Sequence, residues 1–154
     1  MTKKGILEAK SSGELLKKGQ FRFDFIYTSL LKRAIQTMDI CINENNTKSI
    51  PILYDWRLNE RHYGALQGLN KAQTAKKYGE KQVLMWRRSY DIPPPKLTLN
   101  DKRHPKNDLK YLKLKKNELP SGESLKDTIN RVTPLWSSDI VPKILSGKKI
   151  LIVA

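Results

Sequence analysis

Three short apolar runs, set among stretches of helical periodicity, constrain this chain more than any other feature. Phe23-Asp24-Phe25-Ile26-Tyr27-Thr28 is aromatic and β-branched, and reads as a strand buried on both faces towards its end. Ile50-Pro51-Ile52-Leu53-Tyr54 reads as a second strand. Pro51 places it at a strand start or a sheet edge, because proline donates nothing to a ladder. Lys148-Lys149-Ile150-Leu151-Ile152-Val153-Ala154 reads as a third. Helix-periodic segments alternate with these runs, and that order predicts an α/β fold with a mainly parallel sheet.

The helices announce themselves by their ends. Thr2 caps a first helix to about Lys18, with Ile6, Leu7, Leu15 and Leu16 as its apolar face and Gly19 as its stop. From Leu30 to about Asn43 an apolar stripe runs through Leu31, Ala34, Ile35, Met38, Cys41 and Ile42, which makes Cys41 a packed core thiol. Asn70 with Gln73 opens a helix that Gly79 ends, and Glu80 to Ser89 forms another. Ser124 with Asp127 opens a long helix with a face at Leu125, Ile129, Val132, Trp136 and Ile140, kinked at Pro134 and closed by Gly147. Residues 91–117 are irregular, with an extended Pro93-Pro94-Pro95 and a lysine-rich run behind it. Asn43 to Ser49 reads as a loop, and Asn45-Asn46-Thr47 within it is formally a glycosylation sequon.

Composition narrows the class. With 154 residues, 38% hydrophobic and 29% charged, the chain is globular and of single-domain size. Its longest apolar run, Ile150–Ala154, is far short of the ~20 residues a membrane helix needs. No secretory signal is visible, so a cytoplasmic location is expected. One cysteine excludes an internal disulfide, and two separated histidines give a metal site no support. The net charge of +15 attracts polyanions and phosphorylated metabolites. It comes from 22 lysines and only eight arginines, scattered over nearly every segment. That pattern suits solvated helix faces better than a nucleic-acid stripe.

Chemistry concentrates directly after the second strand, where open α/β sheets place their sites. Trp56-Arg57-Leu58-Asn59-Glu60-Arg61-His62-Tyr63-Gly64 combines a carboxylate, guanidiniums, an imidazole and a phenol. Lys71 and the pair Arg87-Arg88 follow, and Arg33 lies early in the helix after the first strand. Several cations converging on one carboxylate suit a phosphorylated substrate, with Glu60 giving or taking a proton. The competing reading is an exposed loop with surface ion pairs. His62 by itself reads as a hydrogen-bonded structural histidine, and His104 beside Pro105 as exposed loop. Gly64 to Lys71 lacks the spacing of a phosphate-binding loop, and no Ser or Thr follows Lys71.

The segments Tyr27-Thr-Ser-Leu-Leu-Lys-Arg33-Ala, Trp56 to Lys71, Trp86-Arg87-Arg88-Ser and Glu123-Ser-Leu-Lys-Asp-Thr-Ile resemble the cofactor-dependent phosphoglycerate mutases of the histidine phosphatase superfamily. The resemblance covers essentially the whole chain in order, and its long middle motif is highly specific. It implies a three-layer α/β sandwich with a mainly parallel sheet, and a single partial domain over residues 1–154. It implies Glu60 as proton donor and acceptor. Arg33, Arg61, His62, Tyr63, Lys71, Arg87 and Arg88 fall at positions that bind phosphoglycerate and 2,3-bisphosphoglycerate. The implied role is glycolytic, without a metal and without a membrane partner, in a family that forms homo-oligomers.

The resemblance also implies a chain truncated at both ends. It starts after the family's Arg-His-Gly motif and stops one residue before its His-Gly-Asn motif. Neither His62 nor His104 matches either histidine, so the expectation is a catalytically incompetent form that keeps the acid/base carboxylate and most of the phosphate clamp. The alternatives are a basic module that binds polyanions such as RNA, or a noncatalytic remnant that associates with a full-length mutase.

Overall fold

The computed structural model describes residues 1–45 and 49–154. Asn46 and Thr47 of the sequon lie outside the described residues, as does the centre of the expected 43–49 loop. The elements run α1 (Lys3–Lys18), β1 (Phe25–Thr28), α2 (Lys32–Glu44), β2 (Ile52–Tyr54), α3 (Lys71–Tyr78), α4 (Glu80–Arg88), α5 (Leu125–Leu135), α6 (Val141–Leu145) and β3 (Ile150–Val153), with short 3₁₀ turns between. They form two compact units, one of Met1–Glu60 with Pro134–Ala154 and one of Arg61–Thr133.

The first unit is an α/β structure on a three-stranded, wholly parallel sheet in the order β2-β1-β3. Ile26 pairs with Ile52 on one side and Leu151 on the other. As the central strand, β1 is covered on both faces, and Ile26, Tyr27 and Thr28 are fully buried. Pro51 stands just before β2, where its carbonyl accepts from the Ile26 N–H at 3.0 Å. The strands are shorter than the apolar runs, because only the paired part of each run enters the ladder. Tyr27, Leu135 and Ile140 form the core beneath the sheet, with Phe25, Leu53, Leu58 and Ile150 packed against them.

Two helices bury faces other than the expected ones. In α1, Ala9 and Gly13 are buried, whereas Leu7 and Leu15 are mostly exposed. A Cβ on Gly13 would lie 2.6 Å from Glu44 Cβ and 2.8 Å from the Cys41 carbonyl oxygen. The small residues thus let α1 and α2 approach closely, which outweighs the helix-propensity cost of a mid-helix glycine. Cys41 is buried there as expected, and its thiol donates to the Ala9 carbonyl at 3.2 Å.

The expected stripe of the last long helix is met only in part. Leu125, Ile129 and Trp136 are exposed, Ile140 is buried as expected, and Leu135, outside the stripe, is buried with it. The helix does not run uniformly to Gly147: Trp136–Ile140 is a π turn, bracketed by Pro134 and Pro142. Pro142 has no N–H for the Ser138 carbonyl, and the Ser138 hydroxyl donates to the Pro134 carbonyl at 2.6 Å. A π turn holds one extra residue, so positions beyond it rotate relative to a straight helix. Gly147 does close the helix at φ +83°, with Lys148 N–H to Lys143 and Gly147 N–H to Ile144 as the paired terminal bonds.

β3 lies at one edge of the sheet, and Ile152 on it is 40% exposed. An apolar edge with unpaired backbone groups is a template for a second chain. The 154-residue protein is therefore expected to self-associate on light scattering, and Ile152→Lys to shift it towards monomer. A monodisperse wild-type monomer with a sharp melt near about 60 °C would overturn this.

The second unit carries α3 and α4 and the irregular chain up to α5. Asn70 Oδ1 caps α3 by accepting from Ala72 and Gln73 N–H, and Gly79 ends it at φ +84°. Ser124 and Asp127 form the expected box: the Ser124 N–H donates to Asp127 Oδ2, and the Asp127 N–H to Ser124 Oγ. Among the described residues no helix is long and apolar enough to cross a membrane.

Candidate active site

In the first unit, the carboxyl ends of β1 and β2 carry Arg33 and Glu60. β2 leads into a 3₁₀ turn, Trp56–Leu58, capped by Asp55, whose carboxylate accepts from the Arg57 N–H at 2.8 Å and pairs with its guanidinium. Asn59 follows and is buried, and its Oδ1 accepts from the Leu30 N–H at 2.8 Å. Glu60 is exposed and forms an ion pair with Arg33 Nη2 from the first turn of α2. The sheet thus brings together two of the expected site residues, 27 positions apart in sequence. Thr28 and Ser29, at the end of β1, are fully buried, and Thr28 Oγ1 has no hydrogen-bond partner among the described residues.

In the second unit, Arg61, Tyr63 and Arg87 converge. The two guanidinium carbons lie 5.1 and 5.2 Å from the centroid of the Tyr63 ring, and Arg61 Nη2 donates to the Arg87 carbonyl. Two cations at one phenol repel each other, and the ring's π face offsets part of that repulsion. A bound dianion would offset more. Arg87 is half-buried at the end of α4, and its Nε is buried without a hydrogen-bond partner among the described residues. Arg88 is exposed beside it, and Lys71 is exposed at the start of α3.

His62 is held structurally. Its backbone exchanges two hydrogen bonds with Glu123, the His62 N–H to Oε2 at 2.8 Å and the Glu123 N–H to the His62 carbonyl at 2.8 Å. Its Nδ1 accepts from the Gly64 N–H at 3.0 Å. Gly64 has φ +55°, and a Cβ there would stand 2.3 Å from the Pro95 carbonyl oxygen, so only glycine fits. Burial pushes the His62 pKa down, against the pull of Glu123 and with the repulsion of His104 and Arg131. A histidine pKa lowered by folding means the native state binds fewer protons than the unfolded one. Stability from His62 is then complete above the unfolded value of about 6.5 and falls as pH drops below it. Protection of the Gly64 amide against hydrogen exchange should decline between pH 7 and 5, after correction for intrinsic rates. Constant protection would show that His62 takes up its proton without losing that bond.

Three arrangements escaped the sequence reading. His104 is buried rather than an exposed loop residue, because its Nδ1 caps a 3₁₀ turn by accepting from the Lys106 N–H at 3.1 Å. Glu123 and Arg131 form a buried, two-pronged pair, Nε to Oε1 at 2.6 Å and Nη2 to Oε2 at 3.1 Å, with both side chains 8% exposed. Beneath the sheet of the first unit, the Tyr27 hydroxyl donates to Asp139 Oδ2 at 2.6 Å, and Lys143 donates to both. Lys143 and the phenol hold the Asp139 carboxyl below its usual range, while burial raises the Tyr27 pKa. The sequence signal for this group was weak: Asp139 and Lys143 stand four apart on one helical stretch, and Tyr27 is over a hundred residues away.

The family model described as "Histidine phosphatase superfamily (branch 1)" matches residues 1–101. The chain belongs to the histidine phosphatase superfamily. Among solved structures it is similar to a mycobacterial glucosyl-3-phosphoglycerate phosphatase in complex with inorganic phosphate, at a TM-score of 0.67 and 23% identity. That match covers 100% of this chain and 62% of the other. The α-ribazole phosphatase from Shigella flexneri is similar at a TM-score of 0.60 and 18% identity, covering 100% of this chain and 60% of that one. The likeness at these identities is one of fold. The chain spans about three fifths of the length of these structures.

Proposed function

We propose that these residues supply the acid/base carboxylate and phosphate-binding cations of a phosphoglycerate mutase, which interconverts 3-phosphoglycerate and 2-phosphoglycerate. The observation that carries this reading is the Arg33–Glu60 pair at the carboxyl ends of parallel strands, with Glu60 followed directly in sequence by Arg61-His62-Tyr63. In the reaction Glu60 takes the proton of the attacking substrate hydroxyl and returns it to the departing oxygen. Arg33 beside it holds the carboxylate by an ion pair. The cluster of Arg61 and Arg87 about Tyr63 suits phosphate oxygens. 2,3-Bisphosphoglycerate is the cofactor this reading requires, as the donor that primes a phosphohistidine.

A second reading, hydrolysis of a phosphomonoester, is favoured by the phosphatase activities named for the similar solved structures. Phosphorus NMR on the protein as its source makes it separates the two. A mutase converts 3-phosphoglycerate to 2-phosphoglycerate without net phosphate release, and depends on added 2,3-bisphosphoglycerate. A phosphatase releases inorganic phosphate in proportion to turnover, and that outcome would replace the mutase reading.

The phosphate-binding part of the reading is testable on the 154 residues. Bisphosphoglycerate should bind weakly by calorimetry, less so with added salt. Arg87→Ala/Arg88→Ala should weaken it by about tenfold or more, the worth of a lost charge-assisted hydrogen bond. Equal binding by both proteins would assign the pair to a solvated helix face. Sequence-selective RNA binding tighter than that of bisphosphoglycerate would favour the polyanion module instead.

A further inference from the structure

The Arg33–Glu60 pair is exposed, with side-chain exposures of 63% and 46%. Long side chains in water do not hold a fixed geometry by their own attraction. Their relative position must come from the backbone beneath them. Arg33 is anchored by the first turn of α2, where the Ile35 N–H donates to the Leu31 carbonyl at 3.1 Å and the Thr37 hydroxyl to the Arg33 carbonyl at 2.9 Å. Glu60 has no such helix under it, for it follows the Trp56–Leu58 turn in irregular chain. Its preceding residue is the exception to that looseness. Asn59 is only 4% exposed, its N–H donates to the Trp56 carbonyl at 2.9 Å, and its Oδ1 accepts from the Leu30 N–H at 2.8 Å.

We infer that Asn59 is the positioning residue for Glu60: its side-chain carbonyl clamps the β1–α2 turn that leads to Arg33 onto the segment that carries Glu60. Leu30 is three residues before Arg33, and Asn59 one before Glu60, so a single hydrogen bond joins the supports of both ion-pair partners. The bond spans 29 positions of sequence and is partly buried, with Asn59 itself 4% exposed. Only the acceptor oxygen takes part in it, so a carboxylate at this position preserves the clamp and an apolar side chain of similar size removes it. The catalytic meaning of the clamp rests on Glu60 being the acid/base group, but the clamp itself does not.

Nitrogen-resolved NMR on the 154-residue protein tests the inference, with the Arg33 side-chain Nε–H and the Leu30 amide as reporters. Glu60→Gln defines where the Arg33 signal moves when the pair is lost. Asn59→Leu should bring the Arg33 signal to that position and speed Leu30 amide exchange by about tenfold or more, as expected for a lost buried hydrogen bond. Asn59→Asp should restore both towards wild type, which a merely space-filling role would not do. If Asn59→Leu fails to fold, Asn59→Ala, smaller and without an acceptor, gives the same comparison. An Arg33 signal unmoved by loss of the Asn59 acceptor overturns the inference, as does one unmoved by Glu60→Gln. Failure of the acid/base reading looks different: the protein from its natural source keeps full turnover as Glu60→Gln while the Arg33 and Leu30 signals respond as described.

Discussion

Glu123→Ala is expected to destabilise the protein by about 3–5 kcal/mol, the cost of leaving one partner of a buried ion pair without the other. For a chain of this size that is a fall in melting temperature of about 6–20 °C. Arg131 would keep a charge in a site where its side chain is 8% exposed, with neither carboxylate oxygen to receive its Nε and Nη2 donors. The loss extends past the pair. Glu123 Oε2 also accepts the His62 N–H, so the variant orphans a backbone donor within the Arg61-His62-Tyr63 segment. Anion binding by that segment should weaken along with stability. The double variant Glu123→Met/Arg131→Leu separates the causes, because removing both charges recovers much of the loss if the uncompensated guanidinium is its source. A change below about 1 kcal/mol for Glu123→Ala, the scale of a surface pair, would show that water reaches Arg131.

What the sequence made legible was whatever a few neighbouring residues decide. Thr2 and Gly19 bound α1, Asn70 and Gly79 bound α3, and Ser124 with Asp127 opens α5, because capping is a contest over backbone groups within one turn. The sheet was legible for a similar reason, since each strand is a short apolar run and the central one, β1, is buried along most of its length. Which face of a helix is buried was less so. Leu7 and Leu15 look like the packed side of α1, but the neighbouring helix needs the close approach that Ala9 and Gly13 permit. Proline signalled a break near the chain's end without revealing that the backbone would absorb it as a π turn, and that extra residue set which apolar side chains point inward.

The places of Arg33 and Glu60 after two strands were legible, and the structure pairs them at the carboxyl ends of those strands. Asn59 and Glu123 were not, although both support segments that carry candidate site residues. Their importance comes from contacts 29 and 61 positions away in sequence, and nothing in the local pattern distinguishes them from surface polar residues. His104 misled for the opposite reason. Its proline and lysine neighbours suggest a solvated loop, whereas the ring is drawn in to cap a turn.

The 154 residues by themselves are expected to show no phosphoryl-transfer turnover, whether mutase or phosphatase. Covalent transfer through an imidazole needs a nitrogen lone pair free to attack phosphorus. The sequence has two histidines, and each spends the lone pair of Nδ1 on a backbone N–H, from Gly64 for His62 and from Lys106 for His104. A neutral imidazole that accepts at Nδ1 carries its proton on Nε2, so neither ring retains a nucleophilic nitrogen. Cys41 offers no substitute, because burial raises its thiol pKa and so disfavours the reactive thiolate. Glu60 can move protons and the arginines can hold an anion, but positioning without a nucleophile leaves the covalent step unmade. A coupled assay with 3-phosphoglycerate and 2,3-bisphosphoglycerate, on protein free of host mutase and phosphatase, reads this directly. Turnover that disappears in Glu60→Gln and survives in His62→Gln and His104→Gln would mean that another group accepts the phosphoryl. Turnover lost in either histidine variant would mean that the imidazole leaves its backbone donor to react, and the hydrogen bonds to Gly64 and Lys106 would then be part of the cost of each cycle.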